Sequence, residues 1–117
     1  MTDIFKKLFF KKEEKILNTI VSFDKYQIKV LYPNGNEHNC NFEDINSISF
    51  VTTDEGPMLN DLFLVLKEEK SNCIIPSDAD GYDEIYERVT QFEGFDFAKT
   101  IEAMKSTDNN EFVCWEK

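Results

Sequence analysis

Residues 45–66, INSISFVTTDEGPMLNDLFLVL, decide the class of fold that this chain adopts. The first part alternates in polarity, with Ile48 and Phe50 on one face and serines on the other, which is typical of a half-buried strand. A Gly-Pro pair at 56–57 then interrupts the strand, because proline lacks a backbone donor and restricts the residue before it. In the last six residues, DLFLVL, apolar side chains follow one another directly, so they would lie on both faces of a strand. They predict a central strand that is covered on both faces.

The sequence on either side of this stretch also has the period of strands. KILNTIVSF and YQIKVLY alternate in polarity across a short link at residues 24–25, and together they predict a hairpin. An Asn-Gly pair at 34–35 supplies the positive φ values of a tight turn. A strand is expected around 38–42, and SNCIIP ends another at Pro76. These patterns predict antiparallel strands through residues 15–76.

Two helices and a last strand are predicted next. DADGYDEIYERVTQF has helical spacing, with acids in the first turn, where the helix dipole favours them. GFDFAKTIEAM follows, with Asp96 as a good N-cap. Residues 111–116 are predicted to form a strand with Phe112 and Cys114 on the opposite side from Trp115. The two helices span 80–106, and their predicted buried faces are Tyr82, Ile85, Val89 and Phe92 in the first and Phe97, Ile101 and Met104 in the second.

The order of these elements is helix, about six strands, two helices and a strand, which is the pattern of an α+β fold. A length of 117 residues suits one domain, so we expect a single domain across 1–117. Its centre is expected to be one curved antiparallel sheet of about six to seven strands, with an N-terminal helix and two C-terminal helices. Pleckstrin-homology-like domains are one candidate for such a plan, although a strand after the helices fits them less well.

The first twelve residues, MTDIFKKLFFKK, have the spacing of a basic amphipathic helix. Two interpretations of this segment stay open. Its apolar side packs on the domain or, as an alternative function, it lies on an anionic membrane surface as a peripheral anchor. The residues of this membrane foot are Phe5, Lys6, Lys7, Leu8, Phe9 and Lys11.

Charge is distributed unevenly along the chain, whose formal net charge is −10. Residues 1–35 contain seven basic and four acidic residues, whereas residues 36–117 contain six basic and nineteen acidic residues. An acidic body repels nucleic-acid phosphates, so we expect no DNA or RNA binding. It suits a basic protein partner instead. The acids predicted to meet that partner are Asp54, Glu55 and Asp61 in a loop between strands, and Asp83, Glu84 and Glu87 in the first helix after the strands.

The sequence also indicates a compartment. No apolar run is long enough to span a bilayer, and the first residues have neither the apolar region nor the cleavage site of a signal peptide. Cys40, Cys73 and Cys114 are odd in number and widely spaced, and two of them lie in apolar, strand-like runs. We expect a cytoplasmic protein with reduced, mostly buried thiols.

Metal sites are only weakly indicated. Asp78, Asp80 and Asp83 surround a glycine as calcium ligands do, but the register differs from an EF-hand, with Val89 where the closing Glu would stand. The same acids suit helix capping and the helix dipole, so weak calcium binding stays an alternative. An H-x-C pair at 38–40 offers half of a zinc site, and the second pair of ligands is missing.

No pattern in the sequence predicts catalysis. The chain has one histidine, and the HExxH, GxSxG, GxGxxG and GxxxxGK[ST] motifs are all missing. Paired carboxylates are the remaining acid–base option. We therefore expect a protein that is not an enzyme and needs no cofactor.

A resemblance is carried by TTDEGPMLNDLFLVL, then IIP, then FEGFDFAKTIEAMKSTDNNEFVCW. Over residues 42–116 the chain is similar to a group of small uncharacterised bacterial proteins. These share a strand ending in TTDxGP, an Asp before an aromatic-bearing strand, and an FD…AM-ST-N…F-C-W tail. The resemblance implies a bacterial protein and brings no known activity. Because some small acidic bacterial proteins are immunity partners of toxins, we expect a non-catalytic acidic module of an immunity or regulatory type that binds a basic protein.

Overall fold

A computed structural model describes residues 18–53, 62–106 and 108–117 of the chain. This part contains strands and two helices, so the predicted α+β class is confirmed. The helix predicted at 1–12 lies outside the described residues. The elements are β1 (Ile20–Phe23), β2 (Gln27–Leu31), β3 (Glu37–Asn41), β4 (Ser47–Thr52), β5 (Leu62–Lys67), β6 (Asn72–Pro76), α1 (Tyr82–Val89), α2 (Phe97–Lys105) and β7 (Asn110–Glu116).

The described strands form two antiparallel sheets. One contains β1, β2 and β3 in that order, and the other has the order β6-β5-β4-β7. The prediction of one curved sheet, and with it the pleckstrin-homology-like plan, is therefore not supported. The reason lies first at Phe42–Asp44, where a 3₁₀ turn redirects the chain after β3. In addition, β7 returns from the helices and pairs with the edge of β4 that β3 would have needed.

The apolar run LFLVL, residues 62–66, lies inside the four-stranded sheet, as predicted. It forms β5, between β4 and β6. Leu64 and Leu66 are fully buried and pair with Phe50 and Ile48 of β4, which are also fully buried. Val65 is buried on the opposite face of the strand. The core lies between the inner face of this sheet, the three-stranded sheet and the helices.

An irregularity in β7 changes which of its side chains face the core. The register with β4 shifts after Ile48, so Trp115 lies opposite Ile48 while Phe112 lies opposite Phe50. Cys114 takes the extra position, as in a β-bulge, and is buried. Phe112 and Trp115 therefore share a face. The simple alternation predicted from the sequence, which put them on opposite sides, is wrong at this point.

Helix α2 also turns a different face to the core from the predicted one. Its buried side chains are Thr100 and Ala103. Phe97, Ile101 and Met104, which the apolar spacing predicted to be buried, are 56%, 54% and 54% exposed. The prediction of the buried face of α2 is therefore wrong.

The orientation of α2 follows from its attachment to β7. Asp96 is the N-cap, as predicted, and its carboxylate accepts the N–H of Lys99 at 3.1 Å. The N–H of Asp96 donates to the Cys114 carbonyl at 2.8 Å, which fixes the start of the helix against the strand. Thr100 then lies with its hydroxyl 3.4 Å from the Cys114 sulfur. At such a short separation small side chains fit between helix and strand, and larger ones are turned outward.

A backbone junction joins β1 to the start of α1. The N–H of Val21 donates to the Asp80 carbonyl at 2.8 Å, and the N–H of Asp80 donates to the Thr19 carbonyl at 2.9 Å. Gly81, the N-cap of α1, follows with φ of 92°, a conformation that glycine adopts without steric cost. A Cβ at Gly81 would overlap the carbonyl oxygen of Val21. The strand and the helix can approach this closely only because residue 81 has no side chain.

Candidate functional site

Three of the predicted partner-binding acids lie together on α1. Asp83, Glu84 and Glu87 are exposed, and at helical spacing they fall within about 100° of arc. We refer to them as the acidic face. The other predicted residues lie outside the described part of the chain, namely Asp54, Glu55 and Asp61 of the partner surface and Phe5, Lys6, Lys7, Leu8, Phe9 and Lys11 of the membrane foot.

The opposite side of α1 fixes the acidic face in place. Tyr82, Ile85 and Val89 are buried, as the sequence predicted, and they join the core cluster. Phe92, the fourth residue of the predicted stripe, lies beyond the end of the helix and is half-buried. The acids stand in the first two turns of α1, and the first turn is where the positive end of the helix dipole favours carboxylates.

The acidic face opens onto a shallow cleft of about 240 Å³ between α1 and the end of β1. Its lining combines an aromatic ring, two carboxylates, a guanidinium and an amide. The guanidinium lies over the Phe42 and Phe92 rings, and two carboxylates outnumber it. The cleft therefore suits the side chain of lysine or arginine, because the apolar stem can lie on the ring while the charged end meets the carboxylates. The lining residues are Phe23, Glu84, Glu87, Arg88 and Gln91.

Four aromatic residues, which we call the aromatic row, continue from this cleft through the molecule. Phe23 contacts Phe42 edge-on with ring centroids 6.0 Å apart, and Phe42 contacts Phe92 at 6.4 Å. Phe92 contacts Trp115 edge-on at 4.9 Å. Because Phe23 belongs to β1 and Trp115 to β7, the row joins the two sheets.

Two polar contacts fix the aromatic row. The guanidinium of Arg88 lies 4.3 Å from the centroid of the Phe42 ring and 5.5 Å from that of Phe92, which places it for cation–π attraction. The indole N–H of Trp115 donates to the Glu93 carbonyl at 2.9 Å. Arg88 therefore contacts the cleft and the row at once.

Sequence reasoning did not find the aromatic row. Its members come from β1, the 3₁₀ turn, the segment after α1, and β7, so no helical or strand period relates them. The count of eleven Phe was the only signal, and it does not indicate which rings meet.

A second cleft, of about 440 Å³, lies beside Phe42. Tyr26 projects from the turn between β1 and β2 and is 70% exposed. This turn is well defined, since the Asp24 carboxylate accepts the N–H groups of Tyr26 and Gln27 at 2.8 Å each. The bond from Tyr26, and then that from Gln27, lower the pKa of Asp24. The cleft is lined by Lys25, Tyr26, Asn41, Phe42 and Glu43.

The residues that the sequence suggested as metal ligands do not form a common site in the structure. Among residues 18–53, 62–106 and 108–117, no three His, Cys, Asp or Glu side chains are placed to hold a metal ion. Asp80 pairs with Ile20 through its backbone, and Asp83 is part of the acidic face. Asp78 lies in the turn after β6. The half-site of His38 and Cys40 stays on β3.

The three thiols are buried, as the sequence predicted. Cys40 on β3 and Cys73 on β6 contact each other, and this hydrogen bond together with burial raises the pKa of Cys73. Burial also raises the pKa of Cys114, while the hydrogen bond with Thr100 opposes the shift. A buried thiol with a raised pKa is a poor nucleophile. The Cys73 and Cys114 thiols therefore do not have the properties of activated cysteines.

Comparison with known proteins adds no functional assignment to this geometry. No family model, no curated protein and no solved structure matches the chain. Neither helix in the described ranges combines the length and the apolar character that a bilayer-crossing segment needs.

Proposed function

We propose that this chain is a non-catalytic protein-binding module that receives a basic segment of a partner protein on the surface around α1. The observation that carries the proposal is the opening of the acidic face onto a cleft that Phe23 also lines. The arrangement offers both parts of a recognition site for lysine or arginine, namely carboxylates for the charge and an aromatic surface for the stem.

The composition of the surrounding surface supports this proposal. Tyrosine, tryptophan and arginine are the residues that most often dominate binding energy at protein interfaces. Tyr26 is exposed beside the second cleft, and Arg88 lies at the edge of the first. The aromatic row behind them is already held by successive ring contacts in the free protein. Fewer side chains therefore have to become ordered when a partner binds, which lowers the entropic cost of binding.

Long-range charge supports a basic partner as well. Residues 36–117 carry nineteen acids against six basic residues, and this field attracts cationic proteins before contact. Attraction of this kind raises the rate of association and falls as salt is added. An immunity-type or regulatory complex, in which the acidic face covers a basic region of another protein, is the narrower form of the proposal.

The test is capture of the tagged full-length protein from its own host at low salt, followed by titration of each captured protein in purified form. A triple variant, Asp83→Asn with Glu84→Gln and Glu87→Gln, removes the charges of the acidic face without changing side-chain size. A matched control, Asp108→Asn with Glu69→Gln and Glu116→Gln, removes three charges from exposed positions elsewhere.

We expect the triple variant to weaken binding of a basic partner by at least about tenfold, because several charged contacts of about 1 kcal/mol or more are lost together. The control should change the affinity much less, since it alters only the overall field. If the two variants lost the same amount of affinity, the acidic face would act only through the net charge of the protein and would not be a binding site. An affinity that does not fall with added salt would contradict the proposal directly.

A further inference from the structure

A row of large apolar side chains on α2 faces solvent. Phe97, Ile101 and Met104 are spaced four and three residues apart, so they follow one another along a single side of the helix. Each is more than half exposed. We call them the α2 stripe. A contiguous exposed patch of this kind marks an interaction site more often than scattered apolar residues do.

The α2 stripe is distinct from the surface around α1 in its charge. Asp96, Lys99, Glu102 and Lys105 are the charged residues of α2 and its cap, and they balance. Residues 36–117 as a whole are strongly acidic, with nineteen acidic and six basic residues, and the formal net charge of the chain is −10. A second copy of the same acidic chain therefore meets less local repulsion here than at the acidic face.

The stripe is also complementary to itself. When two copies of α2 pack antiparallel about an axis at Ile101, the Phe97 side chain of one copy meets Met104 of the other, because the two residues lie at nearly equal distances from Ile101. Contacts between a thioether and an aromatic ring are favourable. Asp96 and Lys105 stand at the two ends of the helix, so the antiparallel arrangement keeps identical charges apart, whereas a parallel arrangement would put them at the same level.

We infer that the α2 stripe is the contact surface for a second copy of this chain, in an antiparallel α2–α2 pair. The two-fold symmetry makes the interface closed, so the expected product is a dimer. Each of the three side chains has an accessible surface on the order of 200 Å² and exposes somewhat over half of it. Together they offer about 300 Å² per copy before flanking residues are added. This is small for a stable interface, so the dimer is weak and forms at high concentration.

Salt separates this interface from the proposed partner site. Each copy carries the same net charge, so the two repel each other over long distances. Raising the ionic strength from about 10 mM to about 150 mM shortens the Debye length from about 30 Å to about 8 Å and removes most of this repulsion. Self-association is therefore expected to strengthen with salt, while binding of a basic partner at the acidic face weakens.

The experiment is sedimentation equilibrium of the full chain from about 10 µM to about 1 mM at both ionic strengths. Ile101→Glu puts two like charges beside the symmetry axis, and Ile101→Ser removes the apolar contact without adding charge. Ile74→Glu is the matched control, because Ile74 is an exposed isoleucine on β6, away from α2. Circular dichroism verifies that each variant is folded.

We expect a concentration-dependent dimer that tightens with salt, that weakens at least about tenfold in Ile101→Glu, and that is unaffected in Ile74→Glu. Ile101→Ser should weaken the dimer to a smaller extent. A monomer under all conditions overturns the inference, as does a dimer that is lost in Ile74→Glu and kept in Ile101→Glu. The protein could also stay monomeric and dimerise only when Phe5→Ser and Phe9→Ser are introduced. That result would mean that the chain's own first residues cover the α2 stripe, and it would overturn the inference too.

Discussion

Replacement of Gly81 by alanine is the sharpest test of how the candidate site is held together. Gly81 has φ of 92°, where alanine costs about 1–2 kcal/mol. The new Cβ would overlap the Val21 carbonyl oxygen, which belongs to the backbone and cannot turn aside. β1 must then move away from the start of α1. The two hydrogen bonds that join Asp80 to Val21 and to Thr19 are lost or weakened, at about 0.5–1.5 kcal/mol each.

The sum predicts that Gly81→Ala lowers the free energy of unfolding by about 2–5 kcal/mol. Gly35→Ala is a matched control. Gly35 also has φ of 92°, but no atom lies within 4 Å of the position that a Cβ would take. It therefore reports the backbone strain alone, at about 1–2 kcal/mol. The effect of alanine on the unfolded chain is common to both variants and cancels in the comparison.

Urea unfolding followed by circular dichroism measures the difference. The two variants differ by the lost hydrogen bonds, about 1–3 kcal/mol, so with a slope of about 1–2 kcal/mol per molar urea the midpoint of Gly81→Ala should fall below that of Gly35→Ala by about 0.5–3 M. Midpoints that agree within error would refute the reasoning, because they would show that the contact between β1 and α1 contributes little. The cleft should also be lost in Gly81→Ala, since Phe23 and Glu84 lie on the two elements that this junction joins.

Three further predictions concern single side chains. Glu111 accepts a hydrogen bond from Lys67 at 2.6 Å, which holds the pKa of Glu111 below its ordinary value of about 4.3. A depressed pKa in the folded state stabilises the protein above the ordinary pKa, and this stabilisation is lost as the pH falls further. Glu111→Gln should therefore flatten the pH dependence of the free energy of unfolding in that acidic range, by at most about 1 kcal/mol because both side chains are more than a third exposed. Tyr82 has a buried hydroxyl that accepts or donates no hydrogen bond within the described residues, so Tyr82→Phe should raise the free energy of unfolding by about 1 kcal/mol. A decrease in the free energy of unfolding by more than about 1 kcal/mol would show that the hydroxyl has a partner. Burial and the contact between Cys40 and Cys73 predict that neither thiol reacts with iodoacetamide in the folded protein at neutral pH, whereas both react in urea; rapid alkylation without denaturant would contradict the described packing.

Local signals in the sequence predicted the elements well. The alternation around Ile48 and Phe50 predicted that both side chains are buried, and both are fully buried in β4. The half-buried character predicted for the strand is wrong at Ser49, which is fully buried as well. Asp96 caps α2 as its position predicted, because capping depends on residues within one turn. Gly35 adopts the positive φ that the Asn-Gly pair predicted for the turn after β2.

Features that depend on distant parts of the chain could not be predicted in this way. The division into two sheets depends on β7 taking the edge of β4, across about sixty residues of sequence. The rotation of α2 depends on a bond from its cap to Cys114, at a bulge that no periodic pattern reveals. Of the candidate site, the acids of α1 were predicted because they are clustered in sequence. The cleft and the aromatic row were not, since their members come from separate segments.

The aromatic row gives this protein an internal optical reporter. Trp115 is the only tryptophan of the chain, and it stands at the far end of the row from Phe23. Its indole is half-buried against Phe92 and bonded to the Glu93 carbonyl, so its emission depends on the packing of the segment that follows α1. A ligand in the cleft that moves the Phe23 ring changes the surroundings of this indole through the contacts with Phe42 and Phe92. Binding at the proposed α1 surface can therefore be followed by tryptophan fluorescence without any label.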